Sequence, residues 1–467
     1  MRGPVADVAW VAALATIVTF AIAAPVVRAP SQRLFGMEIV GRHHDPFTVM
    51  AQFENPIAIG VYSQPVTDIT GTLLARAAGA VAAYNWLVLL SFPLAAAYLL
   101  ARYLQLSPVG SAVAAMAYAF SPFHLAHAAY HPHVAQIQWI PLYLLALWRC
   151  LDRATPAAVA FLGAATMAVT LSNFYGGLIA AVITLPAIAA YWLFVARRAN
   201  GTVRPLAITA GSLAVVPLSG VAYAFFAAHA VILNRAAFAF PRIDLFHYSA
   251  KGWSYLMPPV AHPLFGASAQ RIWHAGGVRD GLLEQQVSLG AGIIALALLA
   301  CFAWTRLPRD RRHGSMARIP VLAIVAAAAF VCSLSPEWAI GGFNLMRPSA
   351  VLYGIVPMFR SYARFGIVVQ LMAAMLAGIG VDYLRRTGNR RAQIAGLALV
   401  ALAVCEYAVR PSSQWRDVLP STAHRWIGKI NRCRGWPRIG FPCATARPTI
   451  ARSRTFPARL PPWGTRI

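Results

Sequence analysis

Four short stretches of this chain hold the side chains that can move protons, bind cations or grip phosphate. The first is His43-His44-Asp45-Pro46-Phe47. A carboxylate flanked by imidazoles can serve as a general base or bind a divalent cation; its plain alternative is a solvated turn, because Asp-Pro starts turns. The second runs from Ser121 to His133. Ser121 as N-cap and Pro122 at the first helical position predict a helix start. His124, His127 and His131 then recur at i, i+3 and i+7, and Pro132 ends the run. Neutral imidazoles at that spacing converge, but zinc also wants a carboxylate or a fourth ligand. Histidines at headgroup level on an amphipathic turn are therefore favoured over a metal, and no metal ligand is assigned. His44, His127 and His131 stay as substrate-binding candidates. The third stretch, Phe359-Arg360-Ser361-Tyr362-Ala363-Arg364-Phe365, sets two Arg one helical turn apart beside aromatics. Arg360 and Arg364 can grip a lipid phosphate, or anchor the chain at the interface. The fourth is Glu284-Gln285-Gln286, a carboxylate before an apolar run, either substrate-facing or a helix N-terminal charge. No GxGxxG, Walker A, HExxH or GxSxG pattern and no Cys/His metal spacing occurs, which disfavours a nucleotide-driven pump.

The elements that must carry these residues follow from composition. The 467 residues are 59% hydrophobic and 12% charged, against about 25% charged in soluble domains. That balance excludes a soluble enzyme, a disordered chain and a secreted disulfide module. The net charge of +26 does not mark a nucleic-acid binder, because Arg falls in short clusters between apolar runs rather than along one soluble face. Only Lys251 and Lys429 are Lys, a bias that reads as a GC-rich gene.

Eleven apolar runs suit membrane spans of about 20 residues: 8–27, 81–101, 108–120, 134–148, 157–171, 174–195, 206–231, 287–304, 319–334, 365–384 and 392–409. The run 8–27 is too long for a signal-peptide core and reads as an uncleaved anchor. The third and fourth runs are short, and Gln136 and Gln138 interrupt the fourth. Alternate connections carry fifteen Arg, from Arg102 to Arg391, which the positive-inside tendency assigns to the cytoplasm. The N-terminus is then inside and the C-terminus outside. Eleven of the twelve His and ten of the fourteen acidic residues fall outside, so any chemistry is expected on the outer face. Three long outer loops, 28–76, 233–286 and 335–364, are too apolar for linkers and are expected to pack or to lie on the membrane surface. Within the first, 64–79 predicts a helix with Ile69, Leu73 and Ala77 on one face and Asp68 and Thr72 on another. The stretch 410–467 reads as an extracytoplasmic basic tail, natural or frameshifted, and 1–409 as one polytopic domain.

In order of parts the chain resembles the GT-C superfamily of multi-pass membrane glycosyltransferases, including bacterial relatives of the dolichyl-phosphate-mannose protein mannosyltransferases. The carrying residues are His44-Asp45-Pro46, Ala83-Tyr84-Asn85, Phe92-Pro93-Leu94, Ala119-Phe120-Ser121-Pro122-Phe123, His127, His131 and the 359–365 stretch. The resemblance implies an all-α integral membrane fold with about eleven helices in a bacterial inner membrane. It also implies a polyprenyl-phosphate sugar donor and an envelope glycan, lipid or protein acceptor. Asp45 matches the acid of the first outer loop and takes the role of catalytic base. Arg360 or Arg364 would clamp the leaving phosphate, with a divalent cation as the open alternative. The competing classes are a lipid or solute transporter, which would want ionisable residues at mid-membrane, and a non-catalytic protein that keeps the fold.

Overall fold

The computed structural model describes residues 4–31, 33, 35, 64–94, 97–153, 155–195, 220, 236, 239–278, 281–308, 310, 312–340 and 343–409. The cluster containing His44 and Asp45, nearly all of the predicted span 206–231 and the tail 410–467 lie outside these residues.

Helices start where small polar residues meet proline. Ser107 caps α6 (Pro108–Ala119) by accepting from Gly110 N at 3.2 Å. Ser121 repeats the device for α7 (Pro122–Tyr130), accepting from His124 N at 3.4 Å. Thr155 and Asn173 do the same for α9 (Pro156–Ser172) and α10 (Phe174–Phe194). Each cap satisfies one backbone N–H that the first turn leaves without an intrahelical partner. Before these come α1 (Pro4–Ile22), α2 (Ala24–Arg28), α3 (Pro65–Ala78), α4 (Ala80–Leu94) and α5 (Ala97–Tyr103), with α8 (Trp139–Asp152) between α7 and α9. After α10 come α11 (Ile243–Tyr248), α12 (Gly266–Ala275), α13 (Ala291–Arg306), α14 (Ser315–Ser333), α15 (Pro348–Ile355), α16 (Gly366–Arg386) and α17 (Arg390–Glu406).

Each of the ten predicted runs within the described residues holds a helix. Among the described residues, five segments are long and apolar enough to cross a membrane: Ala80–Tyr103, Pro108–Tyr130, Phe174–Phe194, Ser315–Ser333 and Tyr362–Arg386. Three further apolar helices are shorter. Large side chains such as Ile17, Leu185, Leu298 and Leu397 face outward from the bundle, where lipid replaces water. The chain is a multi-pass membrane protein of predominantly helical fold. The third predicted run extends through α7, so the Ser-Pro start at 121 is a break within one span rather than its end. In the fourth, helix begins only at Trp139. Gln136 and Gln138 sit in the preceding turns, with Gln136 donating to Leu87 O and Pro132 O, and Gln138 to Gln136.

The centre of the bundle is α16, buried along almost its whole length against α6, α13 and α14. Glycine makes this closeness feasible. A Cβ at Gly378 would lie 2.5 Å from Gly110 O, and one at Gly380 would lie 2.2 Å from Leu296 O, the small-residue contact by which membrane helices approach.

At the end of the bundle rich in Arg, carboxylates tie helices together. Asp152 accepts from the Tyr103 and Tyr191 hydroxyls and from Arg318 Nη2 at 3.0 Å. Asp382 accepts from Ser107 N at 2.6 Å and from the Ser107 hydroxyl, joining α16 to the start of α6. The opposite end gathers α3, the 131–138 turns and the segments 239–290 and 334–365. One element there departs from the all-α expectation. Strands β1 (Glu337–Ile340) and β2 (Phe343–Met346) form an antiparallel hairpin with Trp338 opposite Leu345 and Ile340 opposite Phe343. The alternation of apolar and polar residues is too short there to be told from a loop by pattern.

Candidate functional site

Two helices of the bundle, α13 and α16, are each preceded by a single 3₁₀ turn, and each turn presents a charge. Leu282–Gln285 precedes α13 and holds Glu284; Tyr362–Phe365 precedes α16 and holds Arg364. The charges meet. Arg364 Nη2 donates to Glu284 Oε1 at 2.6 Å, and Nε lies 3.2 and 3.1 Å from the two carboxylate oxygens. Both side chains are buried, 11% and 5% exposed, so this forked geometry offsets much of the cost of taking two charges out of water. Below the pair, Tyr175 presents its ring 4.2 Å from the Arg364 guanidinium carbon. Its hydroxyl accepts from the backbone N–H of Arg360 and Ser361 at 3.0 and 3.1 Å, which pins the start of the same turn.

His127 lies on the other side of the carboxylate, with Nε2 3.7 Å from Glu284 Oε2. Its Nδ1 is 3.1 Å from His131 Nδ1, and Phe123 packs on its ring at 4.2 Å. Helix α7 stops at Tyr130, and His131 is its C-cap at φ −131° and ψ 79°. The pair therefore meets across a helix end. The expected third member of the face, His124, does not join them. Its Nε2 lies 2.8 Å from Ser91 Oγ and its Nδ1 2.6 Å from Ala119 O, as a buried histidine with local partners. One ligand atom each from His127, His131 and Glu284 falls within 4.8 Å of the others. Two imidazole nitrogens and a carboxylate oxygen form a donor set that suits zinc. Arg364 makes three contacts to the Glu284 carboxylate, which has about four lone-pair sites, so the set keeps room for a divalent cation.

Arg360 separates from Arg364. Its Nη1 donates to Asp244 Oδ2 at 2.6 Å, and its guanidinium lies over the rings of Phe240 and Tyr248. Both Arg of the expected phosphate clamp thus have a carboxylate already. A cavity of about 10 Å³, room for about one water, lies beside Arg364 and is lined by Phe123, Gln136, Asn173 and Tyr175 among others.

Three residues of this region were not among the site candidates read from the sequence. Tyr175 is one. The others are Asp68 and His133, joined at 2.9 Å between Asp68 Oδ1 and His133 Nε2. The second oxygen of Asp68 accepts from Gln64 N at 2.7 Å, and Thr67 Oγ1 donates to Ser172 O. On α3 the apolar Ile69 and Leu73 are exposed, whereas Thr67, Asp68 and Gly71 are buried. The polar face points into the protein and the apolar face outward, as suits a helix at a lipid boundary. The separation of Asp68 from that apolar face was the available signal.

In overall structure the chain is similar to the oligosaccharyltransferase of Archaeoglobus fulgidus. Against its apo form the TM-score is 0.50 at 15% identity, covering 90% of this chain and 59% of that one. Against its complex with zinc and sulfate the values are 0.49, 16%, 87% and 54%. The present chain thus spans about three-fifths of the length of that enzyme, and the likeness to the apo form is one of overall fold. No curated protein matches in sequence. The model of a family described as a domain of unknown function, DUF6311, matches residues 64–407, well over half of the chain, so the chain belongs to the DUF6311 family.

Proposed function

We propose that this chain is a membrane glycosyltransferase that moves a sugar from a polyprenyl-phosphate donor to an extracytoplasmic acceptor. The supporting observation is the convergence of Glu284, Arg364, His127 and His131 beside a cavity at one end of a GT-C-type bundle. Transfer forms a bond from an acceptor hydroxyl to the anomeric carbon and breaks the bond from that carbon to the donor phosphate. The hydroxyl proton passes to a base, and the phosphate leaves with the electron pair. Asp45 is the assigned base, on the strength of the resemblance. Asp68, held by His133, is the second candidate because it is a buried carboxylate–imidazole pair at the same end.

Glu284 is committed to Arg364 and is assigned to holding the site. Arg364 contributes positive charge near the leaving phosphate, and His127 and His131 bind substrate. A divalent cation bound by His127, His131 and Glu284 would supply Lewis-acid stabilisation of phosphate charge. The Arg-rich connections support reading this end as external and the N-terminus as cytoplasmic; the membrane proposed is the bacterial inner membrane.

The test is transfer of radiolabel from polyprenyl-phosphate sugars in membranes that contain the chain. Label in an acceptor that disappears with Arg364→Gln supports the reading. Properly inserted protein that transfers none of a panel of hexosyl and pentosyl donors overturns it.

A further inference from the structure

Two half-buried cations at the same end of the bundle, Lys251 and Arg347, have no such carboxylate partner among the described residues. Lys251 precedes the 3₁₀ turn Gly252–Tyr255, and Arg347 follows β2. Both converge on one residue: Lys251 Nζ donates to Ser335 Oγ at 3.4 Å, and Arg347 Nη1 to Ser335 O at 3.3 Å. Lys251 Nζ also donates to Phe246 O at 2.6 Å. Among the described residues neither cation is paired with a carboxylate, whereas Arg242, Arg318, Arg360 and Arg364 all are. An ammonium has three donors and a guanidinium five, so each keeps donors free after these contacts. Burial, and after it the positive charge of Arg347, hold the Lys251 ammonium below its ordinary range, as expected of a cation without a counter-charge.

The surroundings indicate what supplies the counter-charge. The hairpin β1–β2 stands beside the pair and links the end of α14 to the start of α16, two spanning segments. It exposes Trp338, Leu345 and Met346, and Phe343 is 82% exposed. The Arg347 guanidinium carbon lies 5.3 Å from the Trp338 ring centroid. Val351 and Ile355 of α15 continue the apolar surface. A bare two-stranded ribbon is marginal in water. One with this much apolar exposure, close to the ends of spanning helices and with Trp beside Arg, suits the lipid interface, where aromatics sit at headgroup level and cations meet phosphate.

We infer that Lys251 and Arg347 bind the phosphodiester headgroup of a bilayer phospholipid, with the hairpin seated in the lipid interface beside it. The site stands whether or not the chain transfers sugar, because its test reads lipid binding alone. The full chain, purified in neutral detergent, is incubated with phosphatidylglycerol, with polyprenyl phosphate or with inorganic phosphate, and retained adducts are counted by native mass spectrometry. At about 1 kcal/mol per surface cation, the double variant Lys251→Gln/Arg347→Gln should retain phosphatidylglycerol about thirtyfold less well. Lys251→Arg should retain it as wild type does. Arg271→Gln is the control, an exposed cation that bonds only Ser268 among the described contacts. Trp338→Ser should weaken lipid retention. Equal phosphatidylglycerol retention by wild type and the double variant, with wild-type unfolding temperatures, overturns the inference. Preferential retention of polyprenyl phosphate would give the site to a donor lipid instead, and displacement of phosphatidylglycerol by inorganic phosphate would give it to a free anion; either result also overturns it.

Discussion

Hydrogen-bonded carboxylates occur at both ends of the bundle, and their partners differ. At the Arg-rich end Asp152 receives two tyrosine hydroxyls and Arg318, and Asp382 receives the backbone and side chain of Ser107. These donors come from α5, α10 and α14 and from the cap of α6, so each carboxylate is a tie between helices. At the opposite end Glu284 takes Arg364 on one side and has His127 on the other, with His131 behind it and a cavity beside its partner. A carboxylate surrounded by hydroxyl and backbone donors is satisfied and has nothing further to do. One that shares its surroundings with two imidazoles, which can bind a cation or a substrate, retains chemistry. The contrast teaches that burial and charge alone do not mark a site; the identity of the partners does.

The largest expected effect tests whether chemistry belongs to the histidine-bearing end. Asp45→Asn should lower sugar transfer by about 10²–10⁴ with membrane insertion intact, whereas Glu54→Gln, in the same predicted loop, should leave it near wild type. Loss in Asp68→Asn with activity kept in Asp45→Asn would move the base to the Asp68–His133 pair.

Next comes the ion pair. Arg364→Gln leaves Glu284 buried without its cation, which should cost about 3–5 kcal/mol, read by thermal unfolding in detergent. Glu284→Gln/Arg364→Gln should recover most of that stability and none of the transfer. Transfer at wild-type rates in the double variant would make this pair a tie like Asp152.

The opposite end should behave in reverse. Asp152→Asn keeps an acceptor for one tyrosine hydroxyl but loses the charge facing Arg318; because this carboxylate is exposed, the cost should be no more than about 1 kcal/mol. Its transfer rate should match wild type, and a tenfold loss of rate without loss of stability would break the comparison. The smallest effect concerns cation binding. Zinc titrated into the purified chain should bind at a site that His131→Ala weakens and His133→Ala leaves alone, followed by calorimetry. Equal binding in both variants would remove His131 from the ligand set.

Much of this molecule is written locally. The apolar runs, the Ser-Pro and Thr-Pro starts and the Arg-rich turns specify helices, their beginnings and their shared end, because hydrophobic burial in lipid and N-capping depend on residues within a few positions of each other. The 64–79 helix was likewise legible from its two faces. Pairing was not. Nothing in the spacing of Glu284 and Arg364 foretells that they meet across 80 residues, or that Arg360 turns to Asp244 instead. The i, i+3, i+7 pattern put His124 with His127 and His131. The chain left the helix at Tyr130, and packing against Ser91 and Ala119 took His124 elsewhere. Tyr175 became a support for the Arg364 turn only because α10 lies alongside it. A sequence constrains short-range geometry through backbone sterics and periodicity. Which charges face each other depends on how helices cross, and that is set by close approaches such as Gly110 against Gly378, where only the assembled bundle brings the two backbones together.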